Sequence, residues 1–488
     1  MGEDTSVPIA YPPPISHSYP IHYLITPLPH FPFPISHFPF PISHFSFLIS
    51  HFSFLISHFS FFISHFSFPI SHFSFLISHF SFLMSRSLIP LSLTLLLASC
   101  GGNKSTDSAD SLFADLPVLA EKQVVGTDTI VVARFTSLPD PIVLPASQFI
   151  DSLRLVHLEN SDDALVGSSI VWTTGNRLFV YDYQLGAVKQ FTDDGTYIGN
   201  IGNRGQGPGE YTVAPYYIDA DLTTGRIYLL QTNTDKISSY DLDGRYVGDI
   251  PLAFKTPKGY FKIDNENGTI TVAALVFNIT PENPVVWTQD FEGNVISRID
   301  RPDLQVVPDF SNEIYASGAA NSENIPLSYW YIDPIPDSLY TYSPATNRLT
   351  PSFTCDFGTS TPPVHSYKAL PRFYTIVTNG DPIQAGEGSY MLPQNQPIVI
   401  DRTTLRGAPA TLLLDTFGSL KVSNGWNYSP SPGYFTRTLD PGDLADWIER
   451  ELASNSDLSS EERNRMQKLK ESISPDDNTL VIVGRWRQ

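Results

Sequence analysis

Few side chains in this chain could carry chemistry, and they stand far apart. Beyond residue 100 there are two histidines, His157 and His365, and one cysteine, Cys355. His157 lies in the alternating run Leu153-Arg-Leu-Val-His-Leu158, so it reads as a strand residue at a core or edge position. His365 follows Pro362-Pro363 and reads as a loop residue. Neither is spaced to a carboxylate or another histidine as a zinc site requires. Cys355, inside Ser352-Phe-Thr-Cys-Asp-Phe-Gly358, reads as a small apolar strand residue rather than a catalytic thiol. It could pair with Cys100 on count alone, but Cys100 has a fuller explanation below. No nucleophile elbow, paired-carboxylate signature or cofactor fingerprint is present.

The most distinctive segment is Tyr197-Ile-Gly-Asn-Ile-Gly-Asn-Arg-Gly-Gln-Gly-Pro-Gly-Glu-Tyr211. Glycines that bare backbone N–H groups can cradle phosphate, but such loops open a helix and carry Lys and Ser/Thr. Here Gly-Pro-Gly-Glu-Tyr leads into another strand. The residues Arg204, Gly205, Gln206, Gly207, Pro208, Gly209, Glu210 and Tyr211 therefore read as a close crossing between two sheets. Arg204 and Glu210 either tie that crossing down or face a ligand near the axis about which the sheets are arranged, with the structural role favoured.

The elements around this segment repeat. Asn176-Arg-Leu-Phe-Val-Tyr-Asp182 and Lys189-Gln-Phe-Thr-Asp-Asp-Gly195 recur 49 residues on as Gly225-Arg-Ile-Tyr-Leu-Leu-Gln231 and Ser238-Ser-Tyr-Asp-Leu-Asp-Gly244. The turn returns as Asp290-Phe-Glu-Gly293 and more loosely as Leu339 to Asn347. Ile398-Val-Ile-Asp401 together with Ala410 to Asp415 is a candidate for a fifth or sixth copy. Each copy reads as strand, turn, strand, Asp/Asn-x-Gly turn, strand. One unit alone buries too little; radial stacking covers every sheet face and leaves only short edges. The fold class is therefore all-β, a six-bladed β-propeller, with about six units over residues 140–435. A short C-terminal helical insertion is expected at about 440–473, where Asp440 and Ser459-Ser-Glu-Glu462 read as helix caps. The strand at 479–486 would close the ring beside the strand near residue 150.

The front of the chain has another character. From Ser36 to Met84 the unit Ser-His-Phe-Ser-Phe-Leu-Ile recurs every seven residues, uncharged and nearly unchanged. Residues 1–83 read as a low-complexity tract ahead of the true start, with Met84 beginning a signal peptide at 84–100. Arg86, the apolar run Leu88 to Leu97 and then Ala98-Ser99-Cys100 resemble the lipobox of bacterial lipoproteins. That resemblance makes Cys100 the acylated residue and the membrane a partner; two or more acyl chains give a durable anchor. Residues 101–134 follow as a polar tether and first strand, and 135–488 as the propeller.

Gly-Gln-Gly-Pro-Gly-Glu-Tyr after Asp-x-Gly-x-Tyr-Ile, with a second unit behind it, resembles the six-bladed β-propeller lipoproteins of Bacteroidota. More distantly the blades resemble NHL-type repeats. The terminal Asp476-Asp-Asn-Thr-Leu-Val-Ile-Val-Gly484 is similar to that family's last strand, except that Thr479 stands where Pro is usual. The resemblance covers roughly residues 135–488. It implies the fold and an exported, lipid-anchored place at the cell envelope, the outer membrane favoured, and no established chemistry.

The net charge of −20 argues against nucleic acid as a partner. The leading expectation is a non-enzymatic ligand- or protein-binding propeller, its partner an envelope protein or a small molecule, with no cofactor. One alternative is a hydrolase or lyase with an axial divalent metal, which needs three or more polar ligands converging on the axis. Another is a scaffold of an outer-membrane uptake complex.

Overall fold

Strands that are covered on both faces must be apolar along their whole length, not alternately. Arg177–Asp182 and Arg226–Gln231 have that character: after the first residue every side chain is buried. The computed structural model describes residues 110–488 except 321, 387 and 388, all within one unit. Its strands form six radial sheets.

Blade I comprises Ser169–Thr173, Arg177–Asp182, Ala187–Thr192 and Tyr197–Ile201, counted outward from the axis. Blade II is Pro215–Asp221, Arg226–Gln231, Thr234–Asp241 and Tyr246–Thr256. Blade III is Lys258–Asp264, Thr269–Leu275, Val286–Asp290 and Val295–Ile299. Blade IV holds Glu313–Ala316, Ile325–Trp330, Leu339–Ser343 and Arg348–Asp356. Blade V holds His365–Ala369, Phe373–Thr378, Ile398–Asp401 and Gly407–Leu414.

The 49-residue repeat survives in register. Leu178 pairs with Phe191 in blade I as Ile227 pairs with Tyr240 in blade II, and all four are fully buried. Gly195, Gly244 and Gly293 occupy the same outer hairpin turn of blades I, II and III, with φ of 95°, 80° and 89°. Each turn leans on the outer strand of the blade before it. A Cβ on Gly195 would stand 2.1 Å from the His157 carbonyl oxygen, and one on Gly244 1.9 Å from that of Asn200. In blade IV Asn347 takes the left-handed position, with φ of 46°.

Ile398–Asp401 and Ala410 to Leu414 lie on neighbouring strands of one unit, blade V. One expectation needs correcting: six units do not fit within 140–435, because the sixth blade is assembled from both ends of the chain. Tyr434–Leu439 pairs with Leu480–Trp486, which pairs with Ile150–His157, all antiparallel. The innermost place in this blade is taken by an irregular run, residues 427–432, whose Pro430 and Pro432 cannot donate to a ladder.

The closure is pinned by Asn478, which is buried. Its Nδ2 donates to the carbonyls of Glu159 and Ala164 (2.8 and 2.9 Å), and its Oδ1 accepts from Val166 N at 2.8 Å. Thr479, which departs from the usual Pro, donates its backbone N–H to Asn478 Oδ1 at 2.8 Å and its hydroxyl to the Val166 carbonyl at 2.7 Å. Proline could make neither bond.

Residues 120–157 run around the rim of three blades. Asp128–Arg134 adds in parallel to blade IV with Ala120–Val125 outside it, and Ile142–Pro145 adds in parallel to blade V. The helices Pro441–Ser454 and Ser460–Glu471 are inserted between two paired strands of blade VI. Asp440 caps the first, and a Ser459–Glu462 capping box starts the second. Leu444, Ile448 and Met466 are buried against the core of blades V and VI, with Trp447 and Leu452 partly buried beside them. Among the described residues no helix is long and apolar enough to cross a membrane. Cys100, the heptapeptide tract and the signal segment lie outside the described residues.

Candidate functional site

The inner strands of a propeller surround its axis, so their side chains decide what the channel holds. In this chain the channel is divided in two. Tyr217 and Tyr260, whose ring centroids are 4.6 Å apart, line both halves. On one side is an upper chamber of about 560 Å³, walled by the first halves of the inner strands. On the other is a lower chamber of about 820 Å³, walled by their ends and the turns beyond them.

The upper chamber is aromatic. Trp172, Tyr183, Tyr216, Tyr315 and Tyr428 join the dividing pair. Its charges are mostly compensated. Lys258 Nζ donates to Glu313 Oε1 at 2.5 Å and to the Phe310 carbonyl at 2.6 Å. The Tyr216 hydroxyl donates to Glu313 Oε2 at 2.8 Å and accepts from Ile314 N at 3.1 Å. Desolvation, then the Glu313 charge, pushes the Tyr216 phenol well above its ordinary range. The indole N–H of Trp172 is buried with no hydrogen-bond partner.

Behind this wall lies Lys368, on the inner strand of blade V and only 4 % exposed. Its Nζ stands 4.8 Å from the ring centre of Tyr315 and 4.2 Å from that of Tyr428. It has no carboxylate beside it, and burial alone pulls its ammonium down to about 7.

The lower chamber is acidic at its mouth, with Asp219, Asp221, Asp264 and Glu266 opposite Lys262. Asp219 is pushed up to about 6, chiefly by burial, against the single hydrogen bond it accepts from Ala220 N. A carboxyl raised in the fold costs stability above that value and nothing below the ordinary carboxylate range. Asp219→Asn is therefore expected to raise Tm by roughly 2–6 °C at pH 8 and to leave it unchanged at pH 3.5. Thermal unfolding at the two pH values checks this; an equal shift at both would contradict it.

The glycine-rich segment lies elsewhere. None of Arg204 to Tyr211 lines either chamber. Residues 203–204 pair in parallel with 210–211 in a small loop between blades I and II. Glu210 closes it: its carboxylate accepts from Gly207 N at 2.8 Å and fills the space where a Cβ on Gly205 would stand. The Tyr211 hydroxyl accepts from Val188 N at 2.8 Å, and burial pushes its phenol up to about 12. Arg204 lies over Gly186 in the neighbouring loop.

His157 is exposed on the outer strand of blade VI, 3.9 Å from Asp477. His365 corrects the sequence reading. It begins a strand rather than lying in a loop, and it meets a carboxylate, Nε2 standing 2.7 Å from Asp337 Oδ1 with both side chains buried. Asp337 is 28 residues upstream, and only the packing of blade V on blade IV brings them together. Burial raises the Asp337 carboxyl, and the hydrogen bond to His365 opposes this. Phe357 and Tyr367 pack on the imidazole. Cys355 is a free thiol on the outer strand of blade IV, pushed up to about 12 by burial. Among the described residues no three His, Cys, Asp or Glu side chains form a group able to hold a metal, so the axial-metal alternative finds no ligand set there.

The family described as Domain of unknown function (DUF4934) matches residues 130–381. No curated protein matches the chain. Among solved structures, a candidate exported protein of Bacteroides fragilis is similar at 17% identity and a TM-score of 0.47, over 73% of this chain and 100% of that one. A member of the duf4221 family from Bacteroides vulgatus is similar at 11% identity and a TM-score of 0.38, over 70% and 97%. An auxiliary nutrient binding protein from Bacteroides thetaiotaomicron is similar at 12% identity and a TM-score of 0.26, over 50% and 69%. The propeller is established by the strand order itself.

Proposed function

We propose that this chain, which belongs to the family described as Domain of unknown function (DUF4934), is a non-enzymatic binding protein that takes a small organic molecule into the upper axial chamber. The aromatic lining of that chamber carries the reading. A cavity of several hundred Å³ walled by rigid rings and a few fixed polar groups is the usual form of a small-molecule site. Tyrosine and tryptophan bury large area there with little side-chain entropy to lose. Trp172 adds a further ring to the wall, its buried indole N–H without a partner among the described residues.

The place we propose is the cell envelope, with the outer membrane favoured and Cys100 acylated as the anchor. The arrangement Leu97-Ala98-Ser99-Cys100 after a short apolar run supports it. Fatty-acid label on the protein that disappears in Cys100→Ala is the expected result.

Binding is tested by thermal shift of the purified chain against a panel of small aromatic and sugar-like compounds. We expect compounds that raise Tm in the native chain and lose that effect in Tyr428→Ala. A panel with no active compound, or active compounds indifferent to Tyr428→Ala and Trp172→Phe, would defeat the reading.

A further inference from the structure

Beyond its ring of tyrosines the upper chamber adjoins a recess of about 300 Å³ between blades VI and I, and Ile170, Tyr183, Tyr428 and Pro430 line both spaces. At the recess stands Arg437, on the strand Tyr434–Leu439. Its guanidinium has no hydrogen bond and no ion pair among the described residues, and its Nε is buried without a partner. Ser169, whose Oγ is also buried and unpartnered, lines the same recess. The two threonine hydroxyls of the recess are engaged: Thr438 donates to the Ser169 carbonyl, and Thr436 is bonded to Ser429.

Arg437 is partly buried, and a guanidinium partly withdrawn from water without a counter-charge carries a desolvation cost. The chain has 50 acidic residues against 30 basic ones, yet no carboxylate has been placed beside this cation. Burial alone pulls the group below its ordinary value, with no neighbouring charge or hydrogen bond opposing it. The planar fork of arginine matches a carboxylate through two parallel N–H···O bonds. One cation among neutral hydroxyls suits a single negative charge, whereas a phosphate dianion would call for more cationic donors.

We infer that the ligand of the upper chamber is a small monocarboxylate with a flat apolar body. Its carboxylate sits on Arg437 and Ser169 in the recess, and its body lies among Tyr183, Tyr428 and Trp172. This rests on the binding reading above and adds the ligand's charge, class and orientation.

The test uses isothermal titration of the purified chain with benzoate, phenylacetate and indole-3-acetate, each beside its primary amide. At least one acid should bind the native chain about tenfold more tightly than its amide, the loss of one charge-assisted contact. Arg437→Gln should bring acid and amide together, Arg437→Lys should restore part of the difference, and Tyr428→Ala should weaken both. The comparison in the native chain requires no variant to fold. If amides bind as well as acids, the inference about charge fails while the chamber reading stands. If inorganic phosphate displaces the acids at equal concentration, the monocarboxylate assignment fails. If no acid, amide or neutral arene binds, both readings fail together.

Discussion

Gly244→Ala is expected to destabilise the chain by on the order of 3–5 kcal/mol, whereas Gly225→Ala in the same blade costs only about 1–2 kcal/mol. Both glycines are left-handed, with φ of 80° and 68°, so both pay the conformational penalty of a side chain in that region. They differ in what lies beyond the Cβ. At Gly225 the nearest atoms are the flexible tip of Leu242, 4.0 Å away. At Gly244 the new carbon would stand 1.9 Å from the Asn200 carbonyl oxygen, on the outer strand of blade I. Relief requires the two blades to part, and the bond from Gly202 N to the Gly244 carbonyl at 3.1 Å goes with it. Gly195→Ala should behave like Gly244→Ala. Gly293→Ala should be milder, since its Cβ would lie 3.3 Å from the Pro251 oxygen. Urea unfolding of the four variants gives the order directly. Equal losses at Gly225 and Gly244 would show that the turns do not bear on neighbouring blades.

The second large effect runs the other way. Lys368→Met should stabilise the chain at pH 6 by on the order of 2 kcal/mol and have almost no effect near pH 10. The folded ammonium titrates at about 7, well below its ordinary 10.5. Below pH 7 both folded and unfolded chains carry the charge, and the fold bears the full cost of burying it. Between about 7 and 10.5 the unfolded chain binds the extra proton, so native stability rises with pH. Above 10.5 the cost is gone. The two rings at 4.8 and 4.2 Å offset part of it, each by up to ~2 kcal/mol, so the expected gain is smaller than the shift alone implies. Tyr315 and Tyr428, both raised by burial, are present in variant and native chain alike and drop out of the difference. Denaturation at pH 6, 8 and 9.5 measures it. A gain independent of pH would mean that packing, not charge, is being changed.

These two residues differ in how readable they were. Gly244 announces itself, because the repeat of Gly195 at 49 residues marks a turn of the same kind twice over. Lys368 carries no such mark. In Ser366-Tyr-Lys-Ala369 it looks like any strand lysine, and only the position of its strand at the axis buries it. The glycine-rich segment was legible as a crossing but not in its detail, since Glu210 filling the space above Gly205 depends on how the loop folds back. His365 was misread as a loop residue because Pro362-Pro363 stand just before it, and its partner Asp337 was out of reach of the sequence because it belongs to another blade. Arg437 drew no notice at all, for nothing local distinguishes a guanidinium that will find a carboxylate from one that will not.

Local chemistry was enough for what is decided within one blade. Strand, Asp-x-Gly turn and strand recur at a fixed interval, helix caps stand where Asp440 and Ser459 are, and the faces that must be covered are written in the apolar runs. Closure of the ring by the strand at 479–486 beside the strand near residue 150 was also legible, and the pairing bears it out; the proline-bearing inner edge of blade VI and the cations left without a carboxylate were settled only by packing. A propeller brings each blade against two neighbours and all of them around one channel. The groups that line the chambers and the recess come from Ser169 to Thr438, and no periodicity along the chain records which of them will be left without a partner.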